Sequence, residues 1–324
     1  MLAETLLFRG EFTRAQAHCD QAGVFYNAGS HRDLAYQVGQ DPGLLALGDA
    51  AKILWYHGYP DQALERIRHC LALAQALAHP LSLAEALCAV AHVHLFRREG
   101  HEAQAYAEAV QTLTHEHGFA WWLGVGIGLQ GWALVECAAR SGAREQREAG
   151  LGQIREGLAA VRATEAELWV PLLLGAVAQG TAQGGQAHDG LRVIAEALAI
   201  VEKNAERWTE AELYRLKGEL RLQQSATRLG HVQGQSQTRQ DQSEAPSPQA
   251  EAEACFRKAL DIARHQHAKS WELRAAISLA RLWQSQDKHH EAHSILSEIY
   301  NWFTEGFDTA DLQEAQALLE ELAP

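Results

Sequence analysis

The chain is expected to be all-α, an α-solenoid of paired antiparallel helices wound into a right-handed superhelix, and three observations predict it. A small residue is followed four positions on by a bulky one and three further by a small or apolar one, as in Ala252, Phe256, Ala259 and again in Ala292, Leu296, Ile299. Such spacing places all three on one helical face, where the small residue lets a neighbouring helix approach and the bulky one fills its groove. The pattern recurs, with anchors at 15, 63, 105, 150, 190, 252 and 292, in steps of 48, 42, 45, 40, 62 and 40 residues. Third, 47% of the residues are hydrophobic, with many Ala and Leu, and no stretch alternates as a half-buried strand does.

The pattern is that of the second helix in a repeat of the tetratricopeptide kind, whose unit is about 34 residues. Here the unit is longer, 40–45 residues, and about seven copies make one superhelical domain over residues 1–324. Between thirteen and fifteen helices are expected, with no sheet.

Taken in order, residues 2–8 are too short for a full first helix, whereas residues 13–26, carrying Ala15, Cys19 and Ala22, form a good second one. The first repeat is therefore read as incomplete. Residues 30–40 are polar and irregular, and Asp41-Pro42 suits a helix start near residue 44. Gly58-Tyr59-Pro60 leads to Ala63, Ile67 and Cys70. Ser82 with Glu85 reads as a capping box for a helix over 83–98. Gly100-His101-Glu102 leads to Ala105, Ala109 and Thr112, and the next two copies are Gly150, Ile154, Gly157 and Gly190, Ile194, Ala197. A first helix is read over 163–183, broken by Pro171, and its mate over 191–205. Residues 208–223 align with 270–283 at an offset of 60, pairing Glu212 with Glu272 and Arg221 with Arg281. Between them, residues 225–249 are rich in Gln and Ser and read as a disordered insertion, which accounts for the long step of 62. Residues 308–323 read as a C-terminal capping helix.

A formal charge of −13 argues against nucleic acid or an anionic membrane as partner. The five cysteines are scattered without a CxxC, and read as small core residues in a reducing, cytoplasmic setting. The opening segment, with Glu4, lacks the basic leader of a signal peptide. Residues 119–135 run 17 positions without a charge but carry glycines throughout, and fall where the frame needs a buried first helix rather than a membrane span. Within them, Gly126 to Gly131 spell GxGxxG without the strand that a dinucleotide site needs. Gly124, Gly128 and Gly131 instead share one closely packed helix face. No GxxxxGK[ST] is present. His289 and His293 stand four apart without a third ligand, and His290-Glu291-Ala292-His293 is one residue short of HExxH. No metal, cofactor or catalytic residue is expected, and the chain is not expected to be an enzyme.

Four further segments carry a resemblance: Arg215-Leu216-Lys217-Gly218-Glu219-Leu220, Glu253-Ala254-Cys255-Phe256, Lys269-Ser270-Trp271-Glu272-Leu273-Arg274-Ala275-Ala276, and the stretch from Trp302-Phe303-Thr304 to Leu312. With Tyr36-Gln37-Val38-Gly39 and Trp55-Tyr56-His57-Gly58, they make nearly the whole chain resemble the C-terminal tetratricopeptide-like (MalT-like) repeat region of bacterial adenylate/guanylate cyclase–AAA/STAND ATPase signalling proteins. Asp287 stands where that family has a turn glycine. The resemblance implies a protein-interaction or sensor module of signal transduction, with no cyclase or ATPase motif of its own. A stand-alone adaptor and a small-ligand receptor are the alternatives.

In such stacks the first helices line the concave face. Tyr214, Lys217, Arg221, Arg274 and Arg281 fall on that face of two aligned helices, and Lys52, Tyr56, His94 and Arg97 in equivalent places on earlier ones. Cations gathered inside an acidic chain would suit an acidic protein or peptide partner. The short first helix would leave Phe12, Cys19, Val24 and Phe25 partly uncovered, so residues 1–30 are expected to dock on an upstream ATPase or cyclase domain or on a second copy, or to fray.

Overall fold

The computed structural model describes residues 2–26, 33–232 and 247–323, and among them there are sixteen helices and no strand. A short pair, α1 (Leu2–Phe8) and α2 (Phe12–Phe25), is followed by one turn of helix, α3 (Leu34–Val38). Six helix pairs then follow. They are α4 (Pro42–Tyr56) with α5 (Pro60–Leu77), α6 (Pro80–Phe96) with α7 (Gly100–His117), and α8 (Ala120–Ser141) with α9 (Arg144–Ala163). The remainder are α10 (Val170–Gln183) with α11 (Ala187–Asn204), α12 (Glu210–Val232) with α13 (Pro248–His265), and α14 (Lys269–Gln284) with α15 (His289–Tyr300). α16 (Ala310–Glu321) packs on α14 and α15. Each paired helix packs on its mate, and successive first helices also touch one another. The result is the expected all-α repeat solenoid.

Helix ends explain the register. Asp41 caps α4, its Oδ1 accepting from the N–H groups of Gly43 and Leu44, with Pro42 in the first turn. In four pairs, where the first helix turns into its mate, one residue adopts a left-handed conformation and the buried anchor follows five positions later: Gly10 to Ala15, Gly58 to Ala63, Gly185 to Gly190, Asp287 to Ala292. Asp287 thus does the work of the glycine it replaces, at φ 60°. The third anchor differs from expectation. Its left-handed residue is Arg98, at φ 62°, and not Gly100, so the buried face is Ala103, Ala107, Val110 while Ala105 and Thr112 face outward. Gly100 serves close approach instead: a Cβ there would lie 2.8 Å from Cys137 Sγ and 2.9 Å from the Ala133 carbonyl oxygen.

Three boundaries also move. α6 begins at Pro80 with His79 as its cap, accepting from the Ser82 N–H, while Ser82 Oγ accepts from Asp41 N–H. No capping box forms, and Glu85 is freed for the interior. Ala163 ends α9, and the next first helix opens at Val170, so Pro171 sits harmlessly in a first turn rather than breaking a helix. α12 runs on to Val232 and α13 starts at Pro248, both inside the span read as an insertion. Residues 233–246 of that span lie outside the described residues, as do 27–32 of the polar stretch before α4.

α8 is long and apolar enough to cross a membrane, yet most of it is buried inside the solenoid. Its glycines meet those of α9 backbone to backbone. A Cβ on Gly157 would lie 2.5 Å from Gly128 N and 2.6 Å from the Gly124 oxygen, and one on Gly131 would lie 2.6 Å from the Gly150 oxygen. The GxGxxG stretch is therefore a packing face. Backbone cannot rotate away as a side chain can, so Gly157→Leu is expected to lower the unfolding free energy by about 1–3 kcal/mol or more in urea titrations. Gly152 on the same helix is exposed, with nothing near its Cβ position. Gly152→Ala should stabilise by about 0.5–1 kcal/mol.

The superhelix closes on itself. The Arg207 and Trp208 N–H groups donate to the Phe8 carbonyl at 2.7 and 3.2 Å, and Ser270 Oγ donates to the Trp55 carbonyl at 2.5 Å. Glu305 accepts from the N–H groups of Asp61 and Gln62, and Asp61 accepts from the Gly306 N–H. Along the seam Trp55, Tyr56, Phe96, Trp132, Trp169, Trp208 and Trp271 form one aromatic plug, with Phe12 stacked on Tyr56 at 4.2 Å. His92, fully buried, lies among them, 4.0 Å from Phe96 and 5.3 Å from Trp208.

Candidate functional site

Two half-open chambers lie along the inner side of the closed superhelix. The first, about 460 Å³, lies between the opening turns of α4, α6 and α8, the segment before α10, and α1. Its apolar walls are Phe8, Leu44, Leu45, Leu168, Trp121, Trp122 and Trp169. Its charged groups are Glu4, Asp49, Lys52 and Glu85. Asp49 is 1% exposed, and Lys52 Nζ sits 2.7 Å from its Oδ1. Oδ2 of Asp49, Oε2 of Glu85 and Nε1 of Trp121 are buried without a hydrogen-bond partner.

Burial pushes the Glu85 carboxyl up to about 8, with the nearby Asp49 charge adding to it. Glu4 is raised for the same two reasons. Burial also opposes the charge on Lys52, but Asp49, Glu4 and Glu85 outweigh it and hold the ammonium above its usual range. The chamber is thus an aromatic-walled space in which the carboxyl side chains outnumber the basic ones.

The second chamber, about 220 Å³, lies beyond the plug, between the closing turns of α6, α8 and α10 and the helices α12, α14 and α16. Four arginines and five acids line it, and they satisfy one another. Arg274 Nε reaches Asp311 Oδ2 at 2.7 Å and its Nη2 donates to the Phe96 carbonyl at 2.7 Å, while its guanidinium lies over Trp55 and Trp271. Arg98 reaches Glu314 at 2.7 Å and Asp311 at 3.3 Å, and Arg281 reaches Glu314 at 2.8 Å. Arg215 binds Glu212 at 2.6 Å and also Glu219. Burial would raise the Asp311 carboxyl, but Arg274 and Arg98 overcome it and hold it low. Glu212 is held low in the same way by Arg215 and Arg274.

The nine residues read from sequence as one groove are not together. Lys52 lines the first chamber. Tyr56 is fully buried in the plug, so it cannot line a surface; its helix is first in a pair, but its face points to the seam. His94 and Arg97 are buried, with His94 Nδ1 2.6 Å from Glu99, and Arg97 bound to Glu99 at 2.7 Å and Asp61 at 3.0 Å. Arg274 and Arg281 line the second chamber. Tyr214, Lys217 and Arg221 face α13, where Lys217 lies over the Tyr214 ring and Arg221 Nε is 3.3 Å from Glu251. Most of these cations are neutralised by the chain's own carboxylates. Sequence reasoning missed Asp49, Glu85, Trp121 and Trp169 in the first chamber and Arg98, Arg215 and Asp311 in the second. Asp49 carried a signal, as one of two charged residues, with Lys52, in an otherwise apolar helix.

A wider cleft, about 690 Å³, is an outer notch of the seam between α2 and α13. Its arginines are already paired, Arg9 and Arg14 with Glu11, and Arg207 with Glu202 and Glu210. Among the described residues no group of three His, Cys, Asp or Glu side chains gathers as a metal site.

No protein-family model and no curated protein matches the chain. Among solved structures it is similar to the Rap protein in its complex with the competence and sporulation factor. The TM-score is 0.52 at 11% identity, over 99% of this chain and 95% of that one. The likeness is one of fold. It carries the helical-repeat solenoid from end to end of the chain. A monomeric mutant of IFIT1 with Gppp-AAAA also matches, at 14% identity over 85% of this chain and 72% of that one, but its TM-score of 0.26 carries no argument.

Proposed function

We propose that the chain is a non-catalytic sensor and interaction module, whose interior holds a peptide or small ligand and whose closed superhelix reports occupancy to a partner protein. The observation that carries this is the first chamber, a space of about 460 Å³ lined by five repeats and left with buried polar atoms that nothing among the described residues satisfies. Buried carboxylate oxygens are costly without donors, and a fold built only for stability would pair or remove them. A solenoid of similar fold crystallised in complex with the competence and sporulation factor supports a bound partner for this chain as well. The resemblance of the repeats to those of bacterial cyclase and ATPase signalling proteins supports a place in such a system. Exposed Val24 and Phe25 at the end of α2 support a protein docking there.

Leu45→Trp tests the interior directly, because Leu45 lines the chamber and the larger ring would occupy it. Short peptides and small metabolites that raise the melting temperature of the parent chain should lose that effect on the filled variant. Equal stabilisation of both proteins, or none of the parent, would remove the interior as the binding surface.

A further inference from the structure

We infer that the first chamber binds an organic monocation, a protonated primary amine carried on an apolar or aromatic body. The inference rests on the reading of that chamber as a ligand site and names what fills it. Charge comes first. Among the lining side chains Glu4 and Asp49 outnumber Lys52 even when Glu85 keeps its proton, so an added positive charge meets opposite charge there, and an anion would meet like charge.

Hydrogen bonding points the same way. Lys52 reaches only Oδ1 of Asp49, leaving Oδ2 of that 1%-exposed side chain and Oε2 of Glu85 without donors. A primary ammonium brings three donors and no acceptor, which suits two bare carboxyl oxygens. The walls complete the match. Trp121 and Trp122 meet edge to face at 4.6 Å, and Trp169 stands 6.2 Å from Trp121. Indole faces attract cations, and most strongly where water is excluded. The volume is that of a small-ligand site. A free amine and the amino terminus of a short peptide present the same group, and titration separates them.

The test uses the full chain and three probes of one shape: phenethylamine, 2-phenylethanol and phenylacetate, followed by tryptophan fluorescence and calorimetry. Phenethylamine is expected to bind at least tenfold more tightly than the alcohol or the acid. Asp49→Asn, and Glu4→Gln as a second variant should the first unfold, are expected to erase that preference. Equal or tighter binding of the alcohol or the acid overturns the cation while leaving the chamber as a site. Binding of none of the three overturns both. Phe-Gly-Gly and its N-acetyl form then identify the source. Tighter binding of the free peptide than of phenethylamine points to a peptide amino terminus, the reverse order to a small amine, and an acetylated peptide that binds as tightly as phenethylamine overturns the proposal.

Discussion

Trp208→Ala is expected to lower the unfolding free energy by about 3–5 kcal/mol, the range for emptying a buried large aromatic site. The Trp208 ring is fully buried and packs against Phe8 at 5.1 Å, His92 at 5.3 Å and Trp169 at 5.7 Å. These side chains come from four separate helical pairs or their connections, so no single neighbour can relax into the void. The loss is also electrostatic. Nε1 of Trp208 donates to Glu206 Oε1 at 3.0 Å, as the Trp169 N–H does at 3.1 Å.

Burial already raises the Glu206 carboxyl to about 7, against the pull of those two donors. Without the indole donor it rises further. A carboxyl raised in the folded state holds its proton longer than in the unfolded chain. Its contribution is full below the usual carboxylate range and is lost as pH climbs through the folded value. The deficit of Trp208→Ala, measured by urea unfolding, should therefore be smaller at pH 5 than at pH 8. A deficit under 1 kcal/mol at both would show that the plug does not hold the seam.

Arg274→Ala comes next, at about 3–5 kcal/mol, because it strips one partner from a buried ion pair. Asp311 would keep only Arg98, and the Phe96 carbonyl would lose its donor. The sign with pH is opposite to that of Trp208. Asp311 and Glu212 are held low by arginines, so they contribute stability above the usual carboxylate range and lose it as pH falls through their folded values. The parent chain should weaken on acidification below pH 4, and Arg274→Ala should weaken less over the same interval. Parallel pH profiles would remove Arg274 as the group that sets them.

Most of the fold was legible because a repeat writes its packing face into the sequence several times. Ala63, Ile67, Cys70 and Ala292, Leu296, Ile299 are buried where the pattern put them. The third copy slipped by two residues because Arg98 takes a left-handed turn that a glycine usually marks, and Gly100 nearby drew the alignment. The interior was less legible. Helical spacing tells which residues share a face, but not that the face meets its own far end, and Tyr56 and Arg97 read as groove residues for that reason. The charges at Glu212, Arg274 and Asp311 belong to three helices up to about a hundred residues apart. Their mutual neutralisation is a property of the closed turn, and no local pattern carries it.

Closure also changes how such a chain would acquire its structure. An open stack of repeats grows by contacts between neighbours, so any stretch can nucleate and folding proceeds along the axis. Here the Ser270–Trp55 bond joins residues 215 apart in sequence, and the Gly306–Asp61 bond joins residues 245 apart. Contacts of that span form only after the intervening loop entropy has been overcome, which makes them late events. The middle pairs, α8 with α9 above all, can then form quickly on their own glycine face, while the ring waits on both ends. Once shut, the ring ties the loosest parts of a linear array to each other, so unfolding from a free end gives way to a concerted opening.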